Sequence, residues 1–389
     1  MSTTKRVILL IEKSRAYGRG LLRGVARYAT VGGPWQLHME PEFYRLSHRQ
    51  SEKWMKGLTA DGIIAHLADV RVIDSILELD IPAVIAGIRE PVANAHVLAA
   101  DEEAIGQMAM DYFQDRGFRR LAYCGLDDMF WSRQRGETFC RKAWEAGCEI
   151  RLYEQPKRTR LRRDEAELPI LADWLRSLPK PTALLCCNDD RSKQALAACK
   201  AAELQVPDEI AILGIDNDEL VCELGYPQLS SIALSVEATG YAAARLLGDL
   251  MANHAAHRSK ERIVVSPLYV VERQSTDVLA TDDREVAAAL RFIREHARAG
   301  IQVQDVAEAT ALSRRALQQR FRRALGRSIH DEIKRTRTDL MARMLVTTNL
   351  SIAEIARLLQ STEMKNIARY FRQRTGLTPA QYRKRYSAK

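Results

Sequence analysis

Two short acidic clusters carry the side chains best suited to small-molecule chemistry. Asn188-Asp189-Asp190 follows the apolar run Leu184-Leu185-Cys186-Cys187, and Asp216-Asn217-Asp218 follows Ile212-Leu213-Gly214-Ile215. Carboxylates and a carboxamide converging at strand ends accept hydrogen bonds from several hydroxyls of a sugar, with an arginine or asparagine supplying the complementary donors. The same residue types cap helices that start after a strand, and from the pattern alone the two roles stand level. A catalytic carboxylate pair would need a separation that chain spacing does not give.

A second group of residues points to nucleic acid. Ser313 is placed to cap a helix on which Leu317 and Phe321, four apart, share the buried face, leaving Arg314, Arg315, Gln318, Gln319 and Arg322 for the others. A short helix with Val303, Val306 and Ala307, then a turn at Leu312, precedes it. That order fits a helix-turn-helix whose second helix enters the major groove. The pattern recurs: Phe321-Arg322-Arg323-Ala324-Leu325-Gly326-Arg327-Ser328 returns fifty residues later as Phe371-Arg372-Gln373-Arg374-Thr375-Gly376-Leu377-Thr378, and Leu317 returns as Ile367. Ser351-Ile352-Ala353-Glu354 reads as a capping box opening the second unit. Between the units, Ile333, Leu340, Met341, Met344 and Leu345 predict a long connecting helix.

Other chemistries lack their residues. Gly18-Arg19-Gly20 with Gly24 imitates a dinucleotide fingerprint, but six residues separate Ile11 from Gly18 and the third glycine falls one residue late. No phosphate-binding loop, nucleophile elbow or H-E-x-x-H occurs. The 7 cysteines form no C-x-x-C and read as buried thiols in a reducing compartment. His254 and His257 lack an acidic or cysteine partner, so no metal site is expected.

The elements that must position these groups fall into two parts of opposite charge. Residues 1–283 carry 36 Lys and Arg against 41 Asp and Glu, whereas residues 284–389 carry 23 against 9. A strongly basic tail on a mildly acidic body fits a polyanionic partner, because lysine and arginine contacts to phosphate release condensed counterions. In the body, apolar runs at residues 7–11, 62–65, 83–86, 97–100, 121–125, 183–187, 210–215 and 263–271 lack polar alternation. They predict strands buried on both faces and hence parallel sheets, too many for one, so two doubly wound lobes are expected over residues 1–276. Amphipathic helices lie between them, one bearing Tyr17, Leu21, Leu22, Val25 and Tyr28. Residues 277–284 are a polar linker, and residues 285–389 an all-α domain opening with Val286, Leu290, Ile293 and Ala297 on one helix face. No apolar stretch reaches the roughly 18 residues of a membrane span, and a cytoplasmic location is expected.

The body resembles the LacI/GalR regulators and the related periplasmic sugar-binding proteins. The resemblance rests on Ile212-Leu213-Gly214-Ile215-Asp216-Asn217 leading to Pro227-Gln228-Leu229-Ser230-Ser231-Ile232, on Phe118 through Gly125, and on Val270-Val271-Glu272-Arg273-Gln274-Ser275-Thr276. It implies two lobes joined by three crossovers and closing on a ligand. It carries over Asp189 and Asp216 as ligand-binding acids, Arg135 as the binding arginine and, on a weaker match, Asp101; Asn188 and Tyr17 complete the implied effector set.

The tail resembles the AraC/XylS regulators over residues 285–386, on Ile352-Ala353-Glu354-Ile355-Ala356 and Gly376-Leu377-Thr378-Pro379-Ala380-Gln381-Tyr382-Arg383. It departs from that pattern at Gln360-Ser361, where the family has Gly-Phe, and at Asn366-Ile367. By matching positions, Arg315, Gln318 and Gln319 face bases from the first recognition helix and Lys365, Asn366 and Arg369 from the second, with Arg322 and Arg372 beside them. Together the resemblances imply a non-enzymatic, sugar-responsive activator of transcription. It would bind double-stranded operator or promoter DNA as a homodimer, contact RNA polymerase, and take D-xylose or a related sugar as effector without cofactor or metal. The rivals are a regulator of the same architecture sensing another small molecule, and a sugar- or nucleotide-transforming enzyme tethered to DNA.

Overall fold

A computed structural model describes residues 4–39, 59–67, 70–79, 81–87, 95–156, 164–252, 260–278, 283–359 and 364–386. In the first lobe the strands are β1 (Lys5–Ile11), β2 (Trp35–Met39), β3 (Gly62–Leu67), β4 (Ala83–Gly87) and β5 (His96–Ala100). The second lobe has β6 (Arg120–Cys124), β7 (Glu149–Leu152), β8 (Thr182–Cys186), β9 (Ile210–Ile215) and β10 (Ser230–Leu234). The chain then returns to add β11 (Arg262–Val265) to the first sheet and β12 (Pro267–Val271) to the second. Among the described residues the sheet orders are β11-β5-β4-β3-β1-β2 and β12-β10-β9-β8-β6-β7. Every neighbouring pair is parallel except β10 with β12.

The single apolar run expected at residues 263–271 is two strands in two sheets. Ser266 divides them: its amide donates to Ser235 Oγ at 2.8 Å, and its carbonyl accepts from the Ser235 amide at 2.8 Å. The Asp101 amide donates to Val265 O at 2.9 Å, so the three crossovers between lobes are laced together by hydrogen bonds. β2 and β7, which the apolar pattern does not reveal, are edge strands with only partly buried side chains.

Around the first sheet lie α1 (Ala16–Ala29), α2 (Val70–Leu77) and α8 (Val236–Ala252); around the second lie α3 (Glu102–Gln114), α4 (Phe130–Glu145), α5 (Asp164–Ser177), α6 (Asp189–Ala201) and α7 (Glu219–Leu224). The glycines that imitate a nucleotide fingerprint serve packing. A Cβ on Gly24 would lie 2.1 Å from Glu237 O, and one on Gly240 would lie 2.3 Å from Leu21 O, so α1 and α8 approach at a distance that side chains would forbid.

The tail comprises α9 (Arg284–Glu295), α10 (Val303–Glu308), α11 (Arg314–Leu325), α12 (Ile329–Thr347), α13 (Ile352–Leu358), α14 (Met364–Thr375) and α15 (Pro379–Tyr386). It has two apolar cores. Val286, Leu290, Val306, Leu317, Phe321 and Ile333 belong to the first. Met341, Leu345, Ile355, Leu359, Phe371 and Tyr382 belong to the second. The repeat in sequence is a repeat of caps: α11 and α14 each run into a left-handed glycine, Gly326 at φ +71° and Gly376 at φ +73°. The following helices start on Ser328 and Thr378, whose hydroxyls accept from the Asp331 and Gln381 amides at 3.1 and 3.3 Å. Ser351 and Glu354 form the expected reciprocal box, with contacts of 3.1 and 2.6 Å.

Candidate effector site and nucleic-acid interface

The cleft between the lobes is built on Arg135. The second turn of α4 carries it inward, 3% exposed. Its guanidinium grips Glu102 in a fork, Nε donating to Oε2 at 2.7 Å and Nη2 to Oε1 at 3.1 Å, while Nη1 donates to Cys187 O. Burial opposes its charge, but Glu102 raises the pKa above the ordinary arginine value. Trp131, one turn earlier, lies 5.1 Å from the guanidinium to its ring centroid.

Beside the fork, Asp216 leaves the carboxyl end of β9 at φ +102°, and Asn217 follows at φ +49°. Such left-handed residues are costly without glycine. The turn is held by the Asn217 amide donating to Ser231 Oγ at 3.0 Å and by Arg273 Nη2 donating to Asn217 Oδ1 at 3.0 Å. Burial pushes the Asp216 carboxyl up to about 7; Arg135 pulls it down, while Asp190, Glu102 and Asp218 add to the rise.

The first lobe contributes Tyr17, whose ring lies 5.0 Å from that of His66. Burial and then the charge of Asp216 raise the Tyr17 hydroxyl pKa, with Arg135 opposing. Burial lowers His66 to about 4, so its ring is neutral at pH 7, and its Nδ1 is buried without a hydrogen-bond partner among the described residues. Asn188 caps α6, its Oδ1 accepting from the Arg191 amide at 2.9 Å.

Two further expected effector residues make structural contacts. Asp189 is 2% exposed and lies beneath Asp216, its Oδ2 accepting from the Asp218 amide at 2.7 Å. Its Oδ1 packs where a Cβ on Gly214 would come within 2.2 Å. It supports the turn through Oδ2, while Oδ1 is buried without a hydrogen-bond partner among the described residues. Asp101 caps α3, accepting from the Ala104 amide at 3.0 Å, and lines a cavity on the tail side of that helix. Its neighbour Glu102 reaches Arg135 instead, because each step along a helix start turns the side chain by about 100°. Glu102 and His66 are functional candidates that pattern reading misses: the Asp101-Glu102-Glu103 run signals a helix start but not which acid turns inward.

In the tail, α11 exposes Arg314, Arg315, Gln318, Gln319 and Arg322 while burying Leu317, Phe321 and Leu325. Arg320, on the same helix, is committed to Asp283, with contacts of 2.5 and 2.7 Å. On α14, Arg369 and Arg372 are exposed and Phe371 is buried. The side chains of Lys365 and Asn366 lie outside the described residues, as does the Gln360-Ser361 departure.

The tail also meets the second lobe directly. Arg327 Nη1 lies 2.9 Å from Asp115 Oδ1, and Arg335 pairs with Asp115 Oδ2; both arginines also hold Glu332, each at 2.6 Å. Arg116 and Arg294 share Glu272 at 2.6 and 3.3 Å, and Tyr382 Oη donates to Leu268 O at 2.7 Å. A cavity of about 1380 Å³ opens between α3, β12 and helices α9, α12 and α15, away from the inter-lobe cleft.

Two doubly wound lobes around a charged cleft, joined to a paired helix-turn-helix, define a ligand-responsive DNA-binding regulator of transcription. Family models match in three places: an XylR N-terminal domain over residues 6–95, a periplasmic binding protein-like domain over residues 110–276, and a helix-turn-helix domain over residues 306–385. The xylose operon regulatory protein of Escherichia coli strain K12 is 30% identical over 97% of this chain and 96% of its own length. That of Haemophilus influenzae is 28% identical over 97% and 98%. The solved structure of the xylose-binding transcription activator xylR has a TM-score of 0.61 and 29% identity, covering 99% of both chains. The chain belongs to the family of xylose operon regulatory proteins, sugar-sensing regulators with an AraC-type helix-turn-helix tail.

Proposed function

We propose that D-xylose or a closely related sugar binds in the cleft, and that the protein then activates xylose-catabolic genes from paired DNA half-sites. In this reading it acts in the cytoplasm as a homodimer that contacts RNA polymerase, catalyses no reaction and needs no cofactor. The observation that carries it is the fork of Arg135 on Glu102 facing Asp216 and Tyr17. Three of the five guanidinium N–H groups are committed to described residues, which fixes the plane from which the remaining two donate. Sugar hydroxyls need such paired donors and acceptors at fixed positions. An exposed apolar patch on the second lobe, Leu220, Leu224 and Tyr226 at 66, 83 and 89% exposure, supports the dimer.

Calorimetric titration with a panel of pentoses and hexoses tests the effector. Asp216→Ala removes an acceptor from a closed polar site and is expected to cost about 1–3 kcal/mol of D-xylose affinity, roughly 5- to 150-fold. Asp189→Ala is expected to lower thermal stability together with affinity, since it acts through the turn. Parent-like affinity in Asp216→Ala rejects the assignment. The effector recovered unchanged after incubation with DNA separates a regulator from a tethered enzyme.

Asp216 also predicts a pH dependence. Its folded-state pKa, about 7, lies above the usual carboxylate value, so its contribution to the stability of the sugar-free protein is present at low pH and lost as pH rises through 7. A sugar donating to the ionised carboxylate lowers that pKa, so binding releases a proton and tightens between pH 6 and 8. Calorimetry in two buffers of different ionisation enthalpy measures that proton, and affinity flat across this range contradicts the acceptor role.

For DNA, Arg315→Ala is expected to lose about 1–3 kcal/mol at one base pair and to relax preference there, if its guanidinium forks onto guanine. Competition binding against single-base variants of the operator reads this. A uniform loss across all sequences would make Arg315 a phosphate contact.

A further inference from the structure

The two lobes are joined across the cleft by a contact separate from the effector contacts, and its centre is Asp218. This carboxylate is 4% exposed and belongs to the second lobe, yet both oxygens are bound by the first. Oδ2 accepts from the Ala16 amide at 2.8 Å, and Oδ1 accepts from Arg19 Nη2 at 2.9 Å. Asp218 is itself held from behind, its amide donating to Asp189 Oδ2 at 2.7 Å. On the first-lobe side the receiving segment is firmly shaped. Arg19 Nη1 donates to Ser14 O at 2.5 Å, and a Cβ on Gly18 would lie 1.7 Å from Glu12 O, so the turn into α1 closes on itself with no room to adapt. A second bridge, Arg15 Nε to Asp190 Oδ2 at 2.5 Å, runs parallel but is far more exposed, at 53 and 35%.

We propose that Asp218 is the clasp of the two lobes, a positioning residue that seats Tyr17 over the effector and governs how fast the effector leaves. The residue after Ala16 is Tyr17, so the hydrogen bond to the Ala16 amide fixes the backbone from which that ring enters the cleft. When the lobes part, the carboxylate, the amide and the guanidinium all return to water; when they close, each finds its partner. Buried charge-assisted hydrogen bonds of this kind exceed neutral ones in strength, whereas the exposed Arg15–Asp190 pair contributes little. Truncating one partner of such a pair acts mainly on dissociation. Asp216 and Asp218, two residues apart on one strained turn, thus divide the work, one facing the effector and the other facing the opposite lobe.

The test rests on the effector reading above and is arranged to separate the two. Asp218→Ala and the isosteric Asp218→Asn are compared with the parent by stopped-flow mixing with D-xylose, read by tryptophan emission, and by small-angle scattering without sugar. Both variants are expected to release D-xylose about 30-fold faster or more. Association should stay within about threefold of the parent, because affinity differences within one site fall mostly on dissociation. Scattering is expected to show a larger radius of gyration for both variants. Arg19→Ala combined with Asp218→Ala should add little to Asp218→Ala alone, since the two residues share one interaction. A merely structural role would lower the melting temperature of Asp218→Asn and leave its release rate unchanged, and that result overturns the clasp. If the parent binds no sugar of the panel, the effector reading fails on its own. The clasp is then decided by scattering, and an equal radius of gyration in the parent and both variants overturns it.

Discussion

Glu332→Ala is expected to destabilise the tail by about 3–5 kcal/mol, the range for removing one partner of a buried ion cluster. Glu332 has 0% exposure and sits on α12 between Arg327 and Arg335, each 2.6 Å away. Burial by itself would raise its pKa, but Arg335 and Arg327 hold it at about 2. Its stabilising contribution is therefore present above the ordinary glutamate range and lost as pH falls toward 2. The alanine variant leaves two guanidiniums facing each other, with Asp115 as their main remaining counter-charge. That acid is itself raised to about 6 by burial, against the pull of Arg335 and Arg327. A domain of this size shifts its melting temperature by about 4–8 °C per kcal/mol, so the loss is large in a thermal scan. Glu332→Gln, which keeps the shape and some hydrogen bonds, is expected to fall between. A parent-like melt for Glu332→Ala would show that this cluster supplies no net support to the tail.

What the sequence makes legible follows the physics of burial. β1, β3, β4, β8 and β9 are apolar on both faces because helices cover them, and they announce themselves as unbroken runs. β2 and β7 sit at sheet edges, where polar residues are tolerated, and β10 begins Ser230-Ser231, two hydroxyls buried only because they bind Arg273 and Asn217. None of those pairings is visible along the chain. Ser266 is different: Ser266-Pro267 marks a break in the apolar run, but nothing along the chain says that the second half joins the other sheet. At the site, Arg135 and Asp216 both stand on the second lobe, close enough for each charge to act on the other, and the first lobe brings Tyr17 to them. Asp101 shows the limit of position matching, since an acid beside a strand end is either a cap or a ligand contact according to a direction set by the first turn of a helix. The tail is the most legible part, because capping residues and left-handed glycines act locally, through neighbours in sequence. The body–tail contact on Asp115, built from residues more than 200 positions apart, leaves no such trace.

That contact leads to the last expected result: the sugar should change how the whole chain binds DNA but not how the tail alone does. A ligand shifts an equilibrium only by its differential affinity for the two states. α3 touches both sides of the problem, for Glu102 in its first turn holds Arg135 in the cleft and Asp115, at its far end, holds Arg327 and Arg335 of the tail. A helix of this length spans about 20 Å and moves as a rod. Lobe closure on the effector therefore reaches the base of the first helix-turn-helix through a stiff element, and a dimer of lobes would change the distance or angle between two tails. Residues 283–389 carry two apolar cores of their own, so that fragment is expected to fold and bind a half-site equally with and without D-xylose. The full chain on an operator of two half-sites is expected to gain roughly 10²–10⁴ in affinity when sugar brings the spacing into register, the usual range for a second site made intramolecular. Anisotropy titrations at one fixed salt concentration measure both, since phosphate contacts make the affinities salt-dependent. Asp115→Ala in the full chain should reduce the sugar-dependent gain while leaving sugar affinity within about threefold, because sites this far apart with no shared partner contribute nearly independently. Equal operator affinity of the full chain with and without saturating D-xylose would break the link between cleft and tail, and with it any part α3 plays in joining them.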